Sequence, residues 1–144
     1  MFLDTSVIIE VLTHGKDHRK IFQQIVEQVE TTVENVEDFE YISVVQLAEI
    51  SDWCAKNGLS VKNAIENVKE LAEIIVPLDE AISESSGLIK FGKRKNGFSD
   101  FGLIDAIILA SARSVDQKLL TFDAHFAGES DCVVLGPSRR PRKS

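Results

Sequence analysis

A chain of 144 residues suits one compact domain, which at this length buries about 70% of its unfolded surface and needs no disulfide or structural metal to fold. The composition, 44% hydrophobic and 27% charged with a mean hydropathy near zero, excludes the disordered and membrane-embedded classes for all but the chain ends. A net charge of −7 and a pI near 5.0 argue against a broad electrostatic footprint for nucleic acid.

Phe2-Leu3 reads as a short strand ending at Asp4-Thr5-Ser6, a helix-capping sequence, and Val7 to Leu12 reads as a short helix. The apolar run Val7-Ile8-Ile9 is broken by Glu10 and has no basic segment before it, so it is neither a signal-peptide core nor a membrane span. A cytoplasmic protein without a membrane partner is expected. A second helix is predicted from about Lys16 to Val36, with Phe22, Ile25, Val26, Val29 and Val33 at three- and four-residue spacing. Phe39 to Ile42 alternates like a half-buried strand, and Ser43 can cap a helix from Val44 to about Asn57, stopped at Gly58. Ser60 opens another helix with the stripe Val61, Ala64, Ile65, Val68, Leu71 and Ala72. Ile74-Ile75-Val76 is a buried strand ended by Pro77.

Asp79 begins a helix that reaches the basic stretch Lys90, Lys93, Arg94 and Lys95, and Asn96-Gly97 marks a turn. Phe101 to Val115 is predicted as a nearly wholly apolar helix. Lys118 to Thr121 is a strand, Asp123 caps one short turn, and Cys132 to Leu135 is the last strand. Residues 1–136 form the expected domain. Residues 137–144, with Arg139, Arg140, Arg142 and Lys143, form an expected mobile basic tail. Each basic stretch reads either as a solvated face or as a local edge that holds phosphate. Cys54 and Cys132 lie far apart without a Cys-x-x-Cys pair, which fits reduced thiols and not a zinc site.

Strands separated by helices give an α/β fold with a mostly parallel sheet covered on both faces. Ligands in such folds gather outside the carboxyl ends of the strands. Two acids sit just past predicted strand ends: Asp4 and Asp123. Each reads as a helix cap or as part of a site. Glu49 borders the apolar stripe of its helix, as a surface residue or as a contributor to the same end of the sheet. Asp105 is the one charged residue between Phe101 and Ala112. A carboxylate on an apolar face is costly unless it is paired, hydrogen-bonded or bound to a metal. Parallel strands would deliver Asp4 and Asp123 to one end, with the other two within reach. Magnesium favours such oxygen ligands and can activate water or stabilise a phosphodiester under attack. Of the histidines, His14 and His18 are expected to be exposed, and His125 is a candidate for touching substrate.

Several segments resemble the motifs of PIN-domain nucleases. Asp4-Thr5-Ser6-Val7 resembles the family's opening motif, and Ala48-Glu49-Ile50 falls where it places a second acid. Leu103 to Ala112, around Asp105, resembles the third motif, and Leu120-Thr121-Phe122-Asp123 followed by Phe126 resembles the fourth. The resemblance covers nearly the whole chain except the tail. It implies a three-layer α/β/α domain with a five-stranded sheet of order 3-2-1-4-5. It implies a Mg2+ or Mn2+ site at Asp4, Glu49, Asp105 and Asp123, with hydroxyls of Ser6 and Thr121 lining it, and endonucleolytic cleavage of RNA. Small members resemble VapC-type toxins, dimeric and silenced by a VapB-type antitoxin; others process RNA. The chain departs from the pattern in its very short first strand and in Asp100, which is either a helix cap or an outer carboxylate.

Two other classes compete. A nuclease-like module that binds RNA or protein without cutting fits the acidic total charge. A phosphotransfer domain fits an acid pocket, but the dehalogenase-like phosphatase pattern wants an acid where Ser6 stands, and the receiver pattern wants paired acids and a late-strand lysine.

Overall fold

The computed structural model describes residues 1–30 and 39–136. Its strands are β1 (Phe2–Leu3), β2 (Tyr41–Ser43), β3 (Ile74–Val76), β4 (Leu119–Thr121) and β5 (Cys132–Val134). Its helices are α1 (Thr5–Leu12), α2 (His18–Glu30), α3 (Val44–Lys56), α4 (Val61–Leu71), α5 (Glu80–Lys95) and α6 (Leu103–Ser114). Two 3-10 turns, Gly15–Asp17 and Ala124–Phe126, complete the set. The predicted continuation of the second helix to Val36 and the basic tail 137–144 lie outside the described residues.

All strand pairings are parallel, in the order β3-β2-β1-β4-β5. The two residues of β1 do most of the central work: Phe2 pairs with Tyr41 on one side and Leu119 on the other, and Leu3 pairs with Leu120. Alternation along the strands divides two cores. Leu3, Ile42 and Leu120 face α1 to α4, with Val7, Val11, Ile25, Ile50 and Val68. Phe2, Val76 and Leu119 face α5 and α6, with Ile82, Ala106, Leu109 and Phe126. The result is the three-layer α/β/α arrangement that the motif order implied.

Local signals explain the boundaries. Ser43 ends β2 and caps α3 in the same residue, its hydroxyl accepting from the Val45 N–H while Gln46 Oε1 accepts from the Ser43 N–H. Ser60 and Asp79 cap α4 and α5 by accepting from Asn63 N and Ile82 N. Gly58 takes the left-handed conformation at φ 69° that closes α3. Three helix starts differ from expectation. α1 begins at Thr5 instead of Val7, α2 begins at His18 instead of about Lys16 because Gly15–Asp17 forms a 3-10 turn, and α6 begins at Leu103 instead of Phe101. Phe101 leaves the helical path because its ring is fully buried and packs edge-on against Phe126, with centroids 5.5 Å apart. His14 and His18 are half-buried, not exposed. His14 Nε2 lies 3.6 Å from Glu10 Oε1, and His18 Nδ1 lies 2.9 Å from the Gly15 carbonyl.

Candidate metal centre

The site is built at the carboxyl end of the sheet, around the acid that follows β1. Asp4 is only 4% exposed. It stands at the N-cap position of α1, yet its side chain makes no capping bond. Its Oδ2 accepts instead from Ser6 Oγ at 2.7 Å and from Thr121 Oγ1 at 2.8 Å. Each hydroxyl has one hydrogen, so both are committed to Asp4, and the 3.3 Å approach of Ser6 to Thr121 follows from the shared acceptor. The same two oxygens accept backbone N–H groups in turn, Ser6 from Phe122 and Thr121 from Asp123. The end of β4 is thereby fastened to the start of α1.

Glu49 is held by a longer relay. Thr5 Oγ1 donates to Glu49 Oε1 at 2.7 Å, while Thr5 accepts from Gln46 Nε2 at 3.2 Å. Gln46 is fully buried; its other bonds run from Nε2 to the Leu3 carbonyl and to Oε1 from the Ser43 N–H. One glutamine therefore ties β1, β2 and α3 together and sets the hydroxyl that orients Glu49. Thr5 and Gln46 were not singled out in the sequence. The Ser43-x-x-Gln46 capping pattern was visible there, but the second bond needs Leu3 brought alongside by β1–β2 pairing.

Asp105 sits in the first turn of α6, half-buried, with Oδ2 accepting the Gly102 N–H at 3.1 Å. Its place is the helix start, favoured for an acid, and not the interior of an apolar face. The segment before it is held by α5. Arg94 Nε donates to the Phe101 carbonyl at 2.9 Å, and Lys93 Nζ lies 3.9 Å from the Phe98 ring centroid while pairing with Glu129 at 3.3 Å. Lys93 is buried. Two of the four cations in the first basic stretch thus serve the fold, which corrects the reading of that stretch as wholly a solvated face or a phosphate edge.

Asp123 follows β4 and caps the last 3-10 turn, Oδ1 accepting the His125 N–H at 2.8 Å. The His125 ring turns back onto it, with Nδ1 3.2 Å from the same oxygen, and Nε2 lies 4.0 Å from Asp100 Oδ2. Asp105, Asp123 and His125 each present a donor atom, all within 4.8 Å of one another. Asp100 itself is 80% exposed and reaches the site only through this histidine.

Electrostatics bind the four acids into one group. Burial pushes the Asp4 carboxyl above the ordinary range, and repulsion from Asp105 and Asp123 adds to it, against the Ser6 and Thr121 hydrogen bonds. Burial also raises Glu49, helped by Asp4 and Asp105 and opposed by Thr5. Asp105 is raised by burial and by Asp123, while the Gly102 N–H and His125 act the other way. Among the described residues, no lysine or arginine pairs with any of the four. Each carboxylate has one oxygen held by a neutral donor and, among the described residues, a second that takes no protein hydrogen bond. Hard oxygen donors, fixed in place and with no lysine or arginine counter-charge among the described residues, suit a small divalent cation.

The sequence model of the PIN domain matches residues 1–128. The chain belongs to the PIN-domain family. No curated protein matches its sequence significantly. The PIN fold is shared with solved structures of low identity. A toxin–antitoxin complex from Klebsiella pneumoniae aligns with a TM-score of 0.65 at 22% identity, over 92% of this chain and 95% of that one. VapBC2 from Rickettsia felis, bound to a DNA fragment from its promoter, gives 0.64 at 16%, over 94% and 96%. FitAcB from Neisseria gonorrhoeae gives 0.62 at 21%, over 96% and 99%. No helix among the described residues is long and apolar enough to cross a membrane.

Proposed function

We propose that this PIN-domain chain is a divalent-cation-dependent endoribonuclease and the toxin of a toxin–antitoxin pair. One observation carries the reading: four acids from separate segments meet at one end of the sheet, each with an anchored oxygen and a second one left for a cation. Asp4, Asp105 and Asp123 are the principal ligands, and Glu49 is a further ligand or the group that orients the attacking water. Bound Mg2+ or Mn2+ would supply Lewis-acid polarisation of the phosphodiester and ease deprotonation of water. The chain's own residues do the rest. Ser6 and Thr121 fix Asp4, Thr5 fixes Glu49, and the Gly102 N–H fixes Asp105, so that these carboxylates are oriented before substrate arrives. Donor atoms of Asp105, Asp123 and His125 gather within 4.8 Å, with Asp4 and Glu49 standing outside that spacing.

The toxin assignment rests on family membership together with the complexes whose fold the chain shares. A VapB-like antitoxin is the proposed protein partner, RNA the substrate, and the cytoplasm the location. Self-association through α5 belongs to the same reading. Leu88 and Phe91 are 75% and 68% exposed one turn apart, and Leu88 lines an open hollow of about 490 Å³ with Ala81, Ile82, Ser85 and Ala110. A Leu88→Glu/Phe91→Glu chain should sediment as a monomer where the native chain sediments as a dimer.

The decisive assay incubates the purified chain with a panel of structured RNAs in Mg2+, Mn2+ or chelator. Cleavage in either ion, loss in chelator and loss in Asp4→Asn are expected. A native, metal-loaded chain that leaves every RNA uncut, indistinguishably from Asp4→Asn, would refute the reading and favour a binding module.

A further inference from the structure

We propose that His125 is a direct ligand in this centre and that its ring nitrogen makes the site select first-row transition-metal dications over magnesium. The inference rests on the metal-centre reading above and deepens it. Its basis is the placement of the two ring nitrogens. Nδ1 is turned inward, 3.2 Å from Asp123 Oδ1, and Nε2 is turned outward, 4.0 Å from Asp100 Oδ2. A metal-binding histidine gives one nitrogen to the ion and directs its other N–H at a carboxylate, which fixes tautomer and ring plane. Asp123, His125 and Asp100 stand in that order. Asp100, 4.0 Å from Nε2 and short of a hydrogen bond, is the carboxylate this N–H would meet by a small side-chain shift once the ring binds the ion, a positioning role.

The donor spacing agrees. Two ligand atoms each roughly 2.1 Å from one ion are at most about 4.2 Å apart. The donor atoms of Asp105, Asp123 and His125 lie within 4.8 Å of one another, so closure onto a shared ion needs only a fraction of an ångström from each. The elements that carry them are already locked together. Phe101, just before the Gly102 cap of α6, and Phe126, just after His125, are both fully buried and meet edge to face. His125 is therefore not a free surface ring that happens to swing past the acids; its backbone N–H is also tied to Asp123.

A nitrogen donor changes the ion preferred. Magnesium takes oxygen ligands and sheds water reluctantly, whereas imidazole suits iron, nickel, copper and zinc. Manganese, the weakest binder of the first-row series, gains least from the ring and serves as the paramagnetic probe of it. A four-carboxylate centre without the ring would discriminate weakly between magnesium and manganese.

The test uses the full-length chain loaded with Mn2+ and pulsed electron paramagnetic resonance, which detects nitrogen directly bound to the ion. A coordinated ¹⁴N signal in the native chain is expected, lost in His125→Gln. By calorimetry, His125→Gln should weaken Mn2+ binding on the order of tenfold or more, and Mg2+ binding by no more than about threefold. Asp100→Asn should weaken Mn2+ binding to a lesser degree while keeping the nitrogen signal. Native Mn2+ binding without a nitrogen signal overturns the inference while leaving the oxygen-only centre intact; it would mean the other tautomer, with Nδ1–H donating to Asp123. Equal loss of both ions in His125→Gln overturns it as well. A native chain that binds neither ion removes the metal centre itself, and the proposed ligand with it. The native-chain spectrum decides even where a variant folds poorly.

Discussion

Replacing Asp105 by Asn should stabilise the metal-free chain while removing its affinity for divalent ions. Donor atoms of Asp105 and Asp123 lie within 4.8 Å. At that separation, two unit charges repel by about 0.9 kcal/mol in bulk water and about 3.5 kcal/mol at the effective dielectric of a protein surface. Both carboxylates are partly solvated, so the lower half of the range applies. Asp4 and Glu49 also feel Asp105 and add to the relief. Against this stands the loss of an acid from the first turn of α6, about 0.3–1 kcal/mol. The Gly102 cap survives, because the Asn carbonyl can accept the same N–H. The net gain is roughly 1 kcal/mol, or about 2–4 °C in Tm for a domain of this size.

Thermal unfolding in chelator at pH 7 and low salt reads the first half of this expectation. Addition of Mn2+ reads the second, since an ion that binds only the folded state raises Tm with its concentration. Native chain should start lower and climb; Asp105→Asn should start higher and stay. The opposite pattern, a variant destabilised in chelator that still climbs with metal as the native chain does, would show that the acids do not share a charge-repelling hollow.

Other consequences follow from the same geometry. Asp4, Glu49 and Asp105 have folded carboxyl values raised above the ordinary 3.8 and 4.5, so between those limits the folded chain holds more protons than the unfolded one. That window runs upward from the ordinary values to the raised ones, so their contribution to stability falls as pH rises through it. Calorimetry in chelator should show Tm increasing on acidification from neutrality into it; the metal-loaded chain should lose its metal-dependent gain over the same range. Thr121→Val removes a buried donor to Asp4 and orphans the Asp123 N–H, which should lower stability by about 1–3 kcal/mol in urea titrations, while Thr121→Ser recovers most of it. Arg94→Ala should loosen the Phe98–Gly102 segment, lowering stability by about 1.5–3 kcal/mol and weakening Mn2+ binding through Asp105, with Arg94→Lys restoring the melt more than the affinity.

What the sequence showed and what it hid divide along a physical line. Short apolar runs ending in an acid were enough to place Asp4 and Asp123 just past strand ends, because a parallel sheet puts every such end on one side. Asp105 stood out for a partly mistaken reason. Its isolation among apolar residues suggested a buried helix interior, whereas the helix starts at Leu103 and the acid lies in its first turn. The sequence could not show that Phe101 would leave the helix, since that depends on Phe126 arriving from the far side of β4. The orienting role of Gln46 and Thr5 was hidden for the same reason: their bonds join α1 and β1 to α3. Lys93 sat in what looked like a charged face, and only the Phe98 ring and Glu129 explain its burial.

The choice of anchoring groups is itself informative about what the centre awaits. Lysine or arginine could have oriented these carboxylates more strongly, since charge-assisted bonds are about twice as strong as neutral ones. The chain uses hydroxyls and backbone N–H groups instead: Ser6, Thr121 and Thr5, and the amides of Gly102 and His125. Neutral donors fix direction without cancelling charge. A lysine in place of Thr121 would bring its ammonium to the Asp4 oxygens and fill the position with a permanent cation, bringing the raised carboxyl values back down and closing the hollow to any other. The folded chain instead retains mutual repulsion among Asp4, Glu49, Asp105 and Asp123 that only an exchangeable ligand relieves. On the proposed reading, that charge is what a divalent ion would neutralise, and the neutral cradle would fix where it sits.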